Sequence, residues 1–201
     1  KFMSNTLQPF FDHWRNRYLL MRHGHSQANQ QGMIVSSPER GIENFGLSLH
    51  GEQQLAQLVA DWHWPAPTRV VHSDFLRTSQ TAARVAAKFG LAPCMDKRLR
   101  ERNFGDLEGQ GDEHYPSVWA LDAENAEHRH YQVEALSAVA QRMQAVIADW
   151  EQQVSGETIL LVSHGDPLQI LMTALAGKPL TTHRELTPLA PASITLYGDN
   201  A

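Results

Sequence analysis

An α/β chain is predicted: a three-layer, mostly parallel, doubly wound sheet flanked by helices, with a lid insertion. Two observations carry this. Short apolar, β-favouring runs alternate with helical stretches along the chain, and the residues able to do chemistry fall just beyond the ends of those runs. A third is that no repeat, low-complexity tract or Gly/Pro/Ser-rich linker divides the sequence, so 1–201 reads as one domain.

The first strand is expected over 18–21, a run that stops at Arg22-His23-Gly24. Between 52 and 62, Leu55, Leu58, Val59 and Trp62 recur at three and four, the spacing of a helix with one apolar face. A second strand over 69–72 leads into a helix over 75–89. Its buried stripe reads as Leu76, Ala83, Val85, Ala86 and Phe89, with Gly90 as the stop signal. A third strand falls over 93–95. The segment 105–132 then breaks the pattern: it is polar, carries Asp106, Glu108, Asp112, Glu113, Asp122, Glu124 and Glu127, and interleaves Tyr115, Trp119 and Tyr131. It reads as a lid insertion with one short helix overhanging the strand ends. A long helix over 134–153 carries Leu136, Val139, Met143, Val146, Ile147 and Trp150. The fourth strand, over 158–162, precedes a helix expected to begin with Asp166 as N-cap and Pro167 in the first helical position, and to end near Gly177. A last strand covers 193–197.

With 201 residues the chain can bury a core without a disulfide or metal staple, and Cys94, its single cysteine, suits a reducing, cytoplasmic setting. No apolar stretch reaches the roughly 20 residues needed to span a bilayer. The first segment lacks the uninterrupted apolar centre of a secretory signal, with Met3 read as the native start, so an untargeted, soluble protein is expected. A net charge of −5 argues against nucleic acid as a partner. The local exception is the cluster Lys97, Arg98, Arg100 and Arg102, read either as a solvated edge or as a funnel for an anionic substrate.

Arg22 and His23 place a planar fork of donors beside a group that can attack phosphorus or shuttle a proton, and Gly24 would let backbone approach a ligand closely. Phosphate chemistry fits that pairing. Arg77 in HSDFLRTSQTA, Glu101 in LRERNFGDLEG and His164 in TILLVSHGDP follow in order. This ordered set resembles the histidine phosphatase superfamily, also called phosphoglycerate-mutase-like, from about 18 to 197.

The resemblance implies roles. His23 would be the nucleophile, forming a phosphohistidine, and must be neutral at the attacking nitrogen. Arg22 and Arg77 would clamp the phosphoryl group, and His164 would donate to its oxygens. Gly24, Ser26, Asn29, Arg102 and Gly165 would contribute phosphate or substrate contacts. Glu101 would protonate the leaving oxygen and then activate water, for which partial burial must raise its pKa against the pull of flanking arginines. Asp166 is a rival acid, since another branch of the superfamily has an aspartate next to its second histidine. His25 stands where the family more often has Glu or Gln. His23-x-His25 and His128-x-His130 lack the further ligands of a metal site, and solvent-facing histidines are the reading for the second pair. No metal and no cofactor are expected.

The leading expectation is therefore a metal-independent phosphomonoesterase for a small phosphorylated metabolite, with no nucleic-acid or membrane partner and an oligomeric state the sequence does not reveal. The alternatives are a phosphoglycerate-mutase-type phosphotransferase, a protein phosphatase, and a non-catalytic module that binds a phosphorylated ligand.

Overall fold

In the computed structural model, which describes residues 13–198, strands β1 (Arg17–Arg22), β2 (Arg69–His72), β3 (Cys94–Met95), β4 (Thr158–Ser163) and β5 (Ile194–Tyr197) form one sheet in the order β3-β2-β4-β1-β5. The pairs β1/β4, β2/β4 and β2/β3 are parallel, and β5 closes the edge antiparallel to β1. The expected strands all form, most of them shifted by a residue at an end. The leading segment expected to lack a secretory signal lies largely outside the described residues.

Alternation along the strands sorts the core into two layers. Tyr18, Leu20, Ile159 and Leu161 face α6 (Leu136–Gln153) and α7 (Gly165–Leu175). Leu19, Met21, Leu160 and Val162 face α3 (Leu49–Ala60) and α4 (Leu76–Phe89). All six residues of β4 are buried, as a central parallel strand covered on both faces requires. The short helices α1 (Gln27–Gln31) and α2 (Pro38–Gly41) follow β1, and α5 (Tyr115–Asp122) is the one α-helix of the insertion. Ile34, Phe104, Leu107, Val118 and Val133 give the insertion a small core of its own. No helix among the described residues is long and apolar enough to cross a membrane.

Two helix readings need correction. In α4 the buried positions are Arg77, Thr78, Thr81, Ala82, Val85 and Ala86, and Ala83 faces solvent; Gly90 ends the helix in the left-handed region at φ 66°. In α7 the N-cap is His164, and Asp166 sits inside the first turn, where its carboxylate is drawn to His183 and Arg102 instead of capping.

Candidate active site

Register alone brings the two histidines together. Arg22 is paired with Ser163 across β1 and β4, so the chain leaves both strands at the same edge, and the His23 amide donates to the Ser163 carbonyl at 3.1 Å. The His23 and His164 rings meet edge to face with centroids 5.3 Å apart. Beyond them opens a cavity of about 230 Å³, lined by Arg22, His23, Ser26, Asn29, Arg77, Glu101, Gly165 and Asp166 among the residues singled out in the sequence, with Asp112, Tyr115, Trp119, Gln169 and Arg184 completing the wall.

His23 is held by its own backbone. Its Nδ1 lies 2.7 Å from the Gly24 carbonyl, which can only accept, so the proton sits on Nδ1 and Nε2 keeps its lone pair. Burial, reinforced by the Arg77 and Arg22 charges, holds its pKa well below the ordinary histidine value, so the ring is neutral near pH 7. Arg77 is anchored through Nη2 to the Val35 carbonyl at 2.7 Å and aims Nε at His23 Nε2 at 3.3 Å. Arg22 donates from Nη1 to the Leu189 carbonyl at 2.5 Å. That leaves Arg22 Nε and Arg77 Nη1 buried and without a partner, together with His164 Nδ1. Unpaired buried guanidinium donors are costly, about 1–3 kcal/mol or more each, and an oxyanion in the cavity would relieve both.

Glu101 lines the same cavity with its side chain 11% exposed. Its Oε1 accepts from the Arg102 amide at 2.9 Å, and Oε2 lies 3.6 Å from Arg77 Nη2 and 4.0 Å from His164 Nδ1. Burial pushes its pKa up to about 7, outweighing the pull of Arg77. The flanking arginines expected to oppose this shift turn elsewhere: Arg100 forms a two-pronged pair with Asp74, and Arg102 a two-pronged pair with Asp122. Asp166 behaves oppositely. Burial would raise it, but the hydrogen bond from His183 and the charges of Arg102 and Arg184 hold it at about 2.

Ser26 and Asn29 close a reciprocal cap on α1, Ser26 Oγ accepting from the Asn29 amide and Asn29 Oδ1 accepting from the Ser26 amide, which leaves the Asn29 side-chain nitrogen as the donor at the cavity. Gly165 opens α7 beside Arg22, adding the donor end of that helix.

Three expected contacts do not reach the cavity. The space left by Gly24 is filled by Leu47 and Leu55 on the core side, and its amide donates to Thr81 Oγ1, so the glycine serves packing and not ligand approach. Arg102 is wholly buried behind Glu101, tied to Asp122, Asp166 and the Glu134 carbonyl. His164 also stands behind the lining, fully buried, with Nδ1 turned toward Glu101 and Nε2 on Ser73 Oγ at 2.9 Å. His25 turns away to Ser48 Oγ at 2.6 Å and packs against His50. The cation cluster is not a funnel: Arg98 is paired with Asp96 and Asp149, and Arg100 and Arg102 are paired as described.

Within the insertion, Tyr115 and Trp119 stack and line the cavity, whereas Tyr131 is 46% exposed outside it. His128, read as solvent-facing, is buried on Asp122 at 2.6 Å; His130 is exposed. Among the described residues no group of three or more His, Cys, Asp or Glu side chains is arranged to hold a metal ion. Gln169 and Arg184, whose guanidinium lies 3.6 Å above the Trp119 ring, also line the cavity; Gln169 follows SHGDP inside α7, one turn beyond Gly165, and Arg184 lies in a stretch with no motif around it.

The model of the histidine phosphatase superfamily (branch 1) matches residues 18–198. The chain belongs to that superfamily. Among the relatives of this histidine phosphatase family member is a probable phosphoglycerate mutase GpmB from Klebsiella pneumoniae, 31% identical over 175 residues, covering 83% of this chain and 78% of the relative. Similar solved structures include mycobacterial hydrolase 1, with TM-score 0.77, 26% identity and 90% of each chain covered. A mycobacterial glucosyl-3-phosphoglycerate phosphatase in complex with VO3 has TM-score 0.74 and 26% identity, covering 90% of this chain and 91% of that one. Superfamily membership agrees with the fold, and with an enzyme of the phosphatase or mutase kind.

Proposed function

We propose that the protein is a metal-independent phosphomonoesterase that hydrolyses small phosphorylated metabolites through a phosphohistidine on His23. One observation carries the reading: the unprotonated Nε2 of a neutral, buried histidine shares a cavity with two buried guanidinium donors that lack partners. Nε2 attacks phosphorus in line, and the bond to the leaving oxygen breaks as Arg22 and Arg77 take up the charge on the equatorial oxygens. Glu101, half-protonated near neutrality, delivers its proton to the departing alkoxide; the carboxylate left behind then takes a proton from the water that splits the phosphohistidine. Asp166, anionic and bound to His183, does not fill that role. The oxyanion stand-in VO3 in a similar phosphatase structure supports the reading.

The GpmB-like relatives favour a mutase as the second reading. A mutase must retain and turn a doubly phosphorylated intermediate, which needs cations beyond the first phosphate site. Here the cavity lining adds Arg184, already bonded to Gln169 and close to Asp166, together with the carboxylates of Asp112 and Asp166. Hydrolysis is the better fit. The lone exposed Cys94 accords with a cytoplasmic setting, which we also propose.

The test is hydrolysis of p-nitrophenyl phosphate with trapping of labelled enzyme. Turnover with an acid-labile label that disappears in His23→Ala supports the mechanism. Full turnover in that variant, or phosphoryl transfer between positions of phosphoglycerate without release of phosphate, would refute it.

A further inference from the structure

Glu108, near the start of the insertion, takes no part in the steps above, yet three hydrogen bonds converge on its carboxylate. Oε1 accepts from the Ser36 amide at 2.7 Å and from Ser36 Oγ at 2.6 Å, and Oε2 accepts from Ser37 Oγ at 3.0 Å. Ser36 Oγ accepts in turn from the Phe104 amide at 2.9 Å. Backbone pairing sets this register: the Ile34 amide donates to the Gln110 carbonyl and the Gly109 amide to the Ile34 carbonyl, both at 2.8 Å. Ser36 is buried and the Glu108 side chain is 15% exposed, so little water competes for these bonds.

The Ser36 amide and the Val35 carbonyl belong to one planar trans peptide, in which N–H and C=O point in opposite directions. Holding the N–H on Glu108 therefore aims the C=O, and that carbonyl accepts from Arg77 Nη2 at 2.7 Å. The anchor decides where the guanidinium faces. Glu101 Oε2 stands 3.6 Å from the same Nη2, and a carboxylate is the stronger acceptor for a charged donor. With Nη2 on Val35, Nε faces His23 Nε2 at 3.3 Å, and Nη1 is left without a partner in a side chain that lines the cavity. Burial disfavours the Arg77 charge, and the carboxylates of Glu101 and Glu108 oppose that effect.

We propose that Glu108 is a positioning residue for the phosphoryl site: through the peptide between Val35 and Ser36 it fixes the Arg77 guanidinium, so that Nε and Nη1 stay available to the phosphoryl oxygens. Glu108 is not among the residues that line the cavity and acts only through Arg77. The role given to Arg77 rests on the phosphatase reading. Without the carboxylate the Ser36 amide is buried and unpaired, the peptide turns, and Nη2 moves to Glu101.

The experiment uses the whole protein with 15N-labelled arginine, and inorganic phosphate as the probe. Arg77 is assigned by the signals lost in Arg77→Lys. In the phosphate-free wild type a held Nη2 slows rotation of the guanidinium, so Arg77 should show separate Nη proton signals. Glu108→Gln keeps the shape, and its amide oxygen still accepts from Ser36, so the signals should persist; in Glu108→Ala they should merge. Phosphate affinity, read by calorimetry, should fall about 10–100-fold in Glu108→Ala, the effect of losing one charge-assisted hydrogen bond, and by no more than about threefold in Glu108→Gln. Merged Arg77 signals in the free wild type overturn the proposal whether or not any variant folds. So does Glu108→Ala with separate signals and wild-type affinity, or Glu108→Gln as weak as Glu108→Ala. Phosphate bound as expected, with no label on His23 during turnover, would sink the phosphohistidine reading and leave the Arg77 result standing.

Discussion

Replacing Glu101 by Gln should disable the enzyme and strengthen the fold, and the two effects should part company with pH. In the folded protein the carboxyl is raised from 4.5 to about 7. Below 4.5 both folded and unfolded chains hold the proton and burial adds no penalty. Above about 7 both have lost it, and the fold must bury a carboxylate. At about 1.4 kcal/mol per pH unit, the interval amounts to about 3 kcal/mol of stability lost as pH rises through it. The pull of Arg77 is already contained in that figure. Urea unfolding in phosphate-free buffer at pH 4 and at pH 8.5 measures it: Glu101→Gln should match wild type at the first and exceed it by about 3 kcal/mol at the second. Hydrolysis of an alkyl phosphate, whose leaving oxygen needs a proton, should fall by about 10²–10⁴-fold, and p-nitrophenyl phosphate by much less. A stability gap that is the same at both pH values would refute the buried-acid argument, whatever happens to the rate.

Two further substitutions probe the frame around the site. An added Cβ at Gly51, in the first turn of α3, would stand 2.0 Å from the His25 carbonyl, so Gly51→Ala must move the loop that follows His23; a loss of about 1–3 kcal/mol in urea unfolding is expected, and a change under 0.5 kcal/mol would show the loop to be slack. Asp122→Asn takes one carboxylate from the buried Arg102, with Asp166 remaining at 3.2 Å; about 3 kcal/mol should be lost, and thermal melts within a degree of wild type would contradict the network.

The sheet and the line of histidines were legible because each rests on local signals that survive folding. An apolar run ending in Arg22-His23 fixes where β1 stops, and the run before His164 does the same for β4; two parallel strands ending at one edge leave the residues that follow nowhere else to meet. What the sequence could not reveal is where side chains point once partners separated along the chain arrive. Gly24 was read as a ligand-facing glycine, yet Leu47 and Leu55 claim its space. The four cations at 97–102 read as one patch in sequence, but a 3-10 turn over Lys97–Leu99 and the stretch after it send alternate side chains to different neighbours. Arg98 meets Asp149 from α6, Arg100 meets Asp74 before α4, and Arg102 turns inward to Asp122 at the end of α5. The last of these pairings explains the acid. Arg102, by spending its charge on Asp122 and Asp166, contributes only an amide to Glu101, and α5, which supplies Asp122, also supplies Tyr115 and Trp119 to the cavity wall. An arginine beside Glu101 in sequence would lower its pKa if the side chain faced it; a buried carboxylate that turns that side chain away leaves burial to set the pKa near neutrality. The acidic insertion, unpromising as a contact for phosphate, therefore helps to set the Glu101 pKa through the arginine it turns away from that carboxyl.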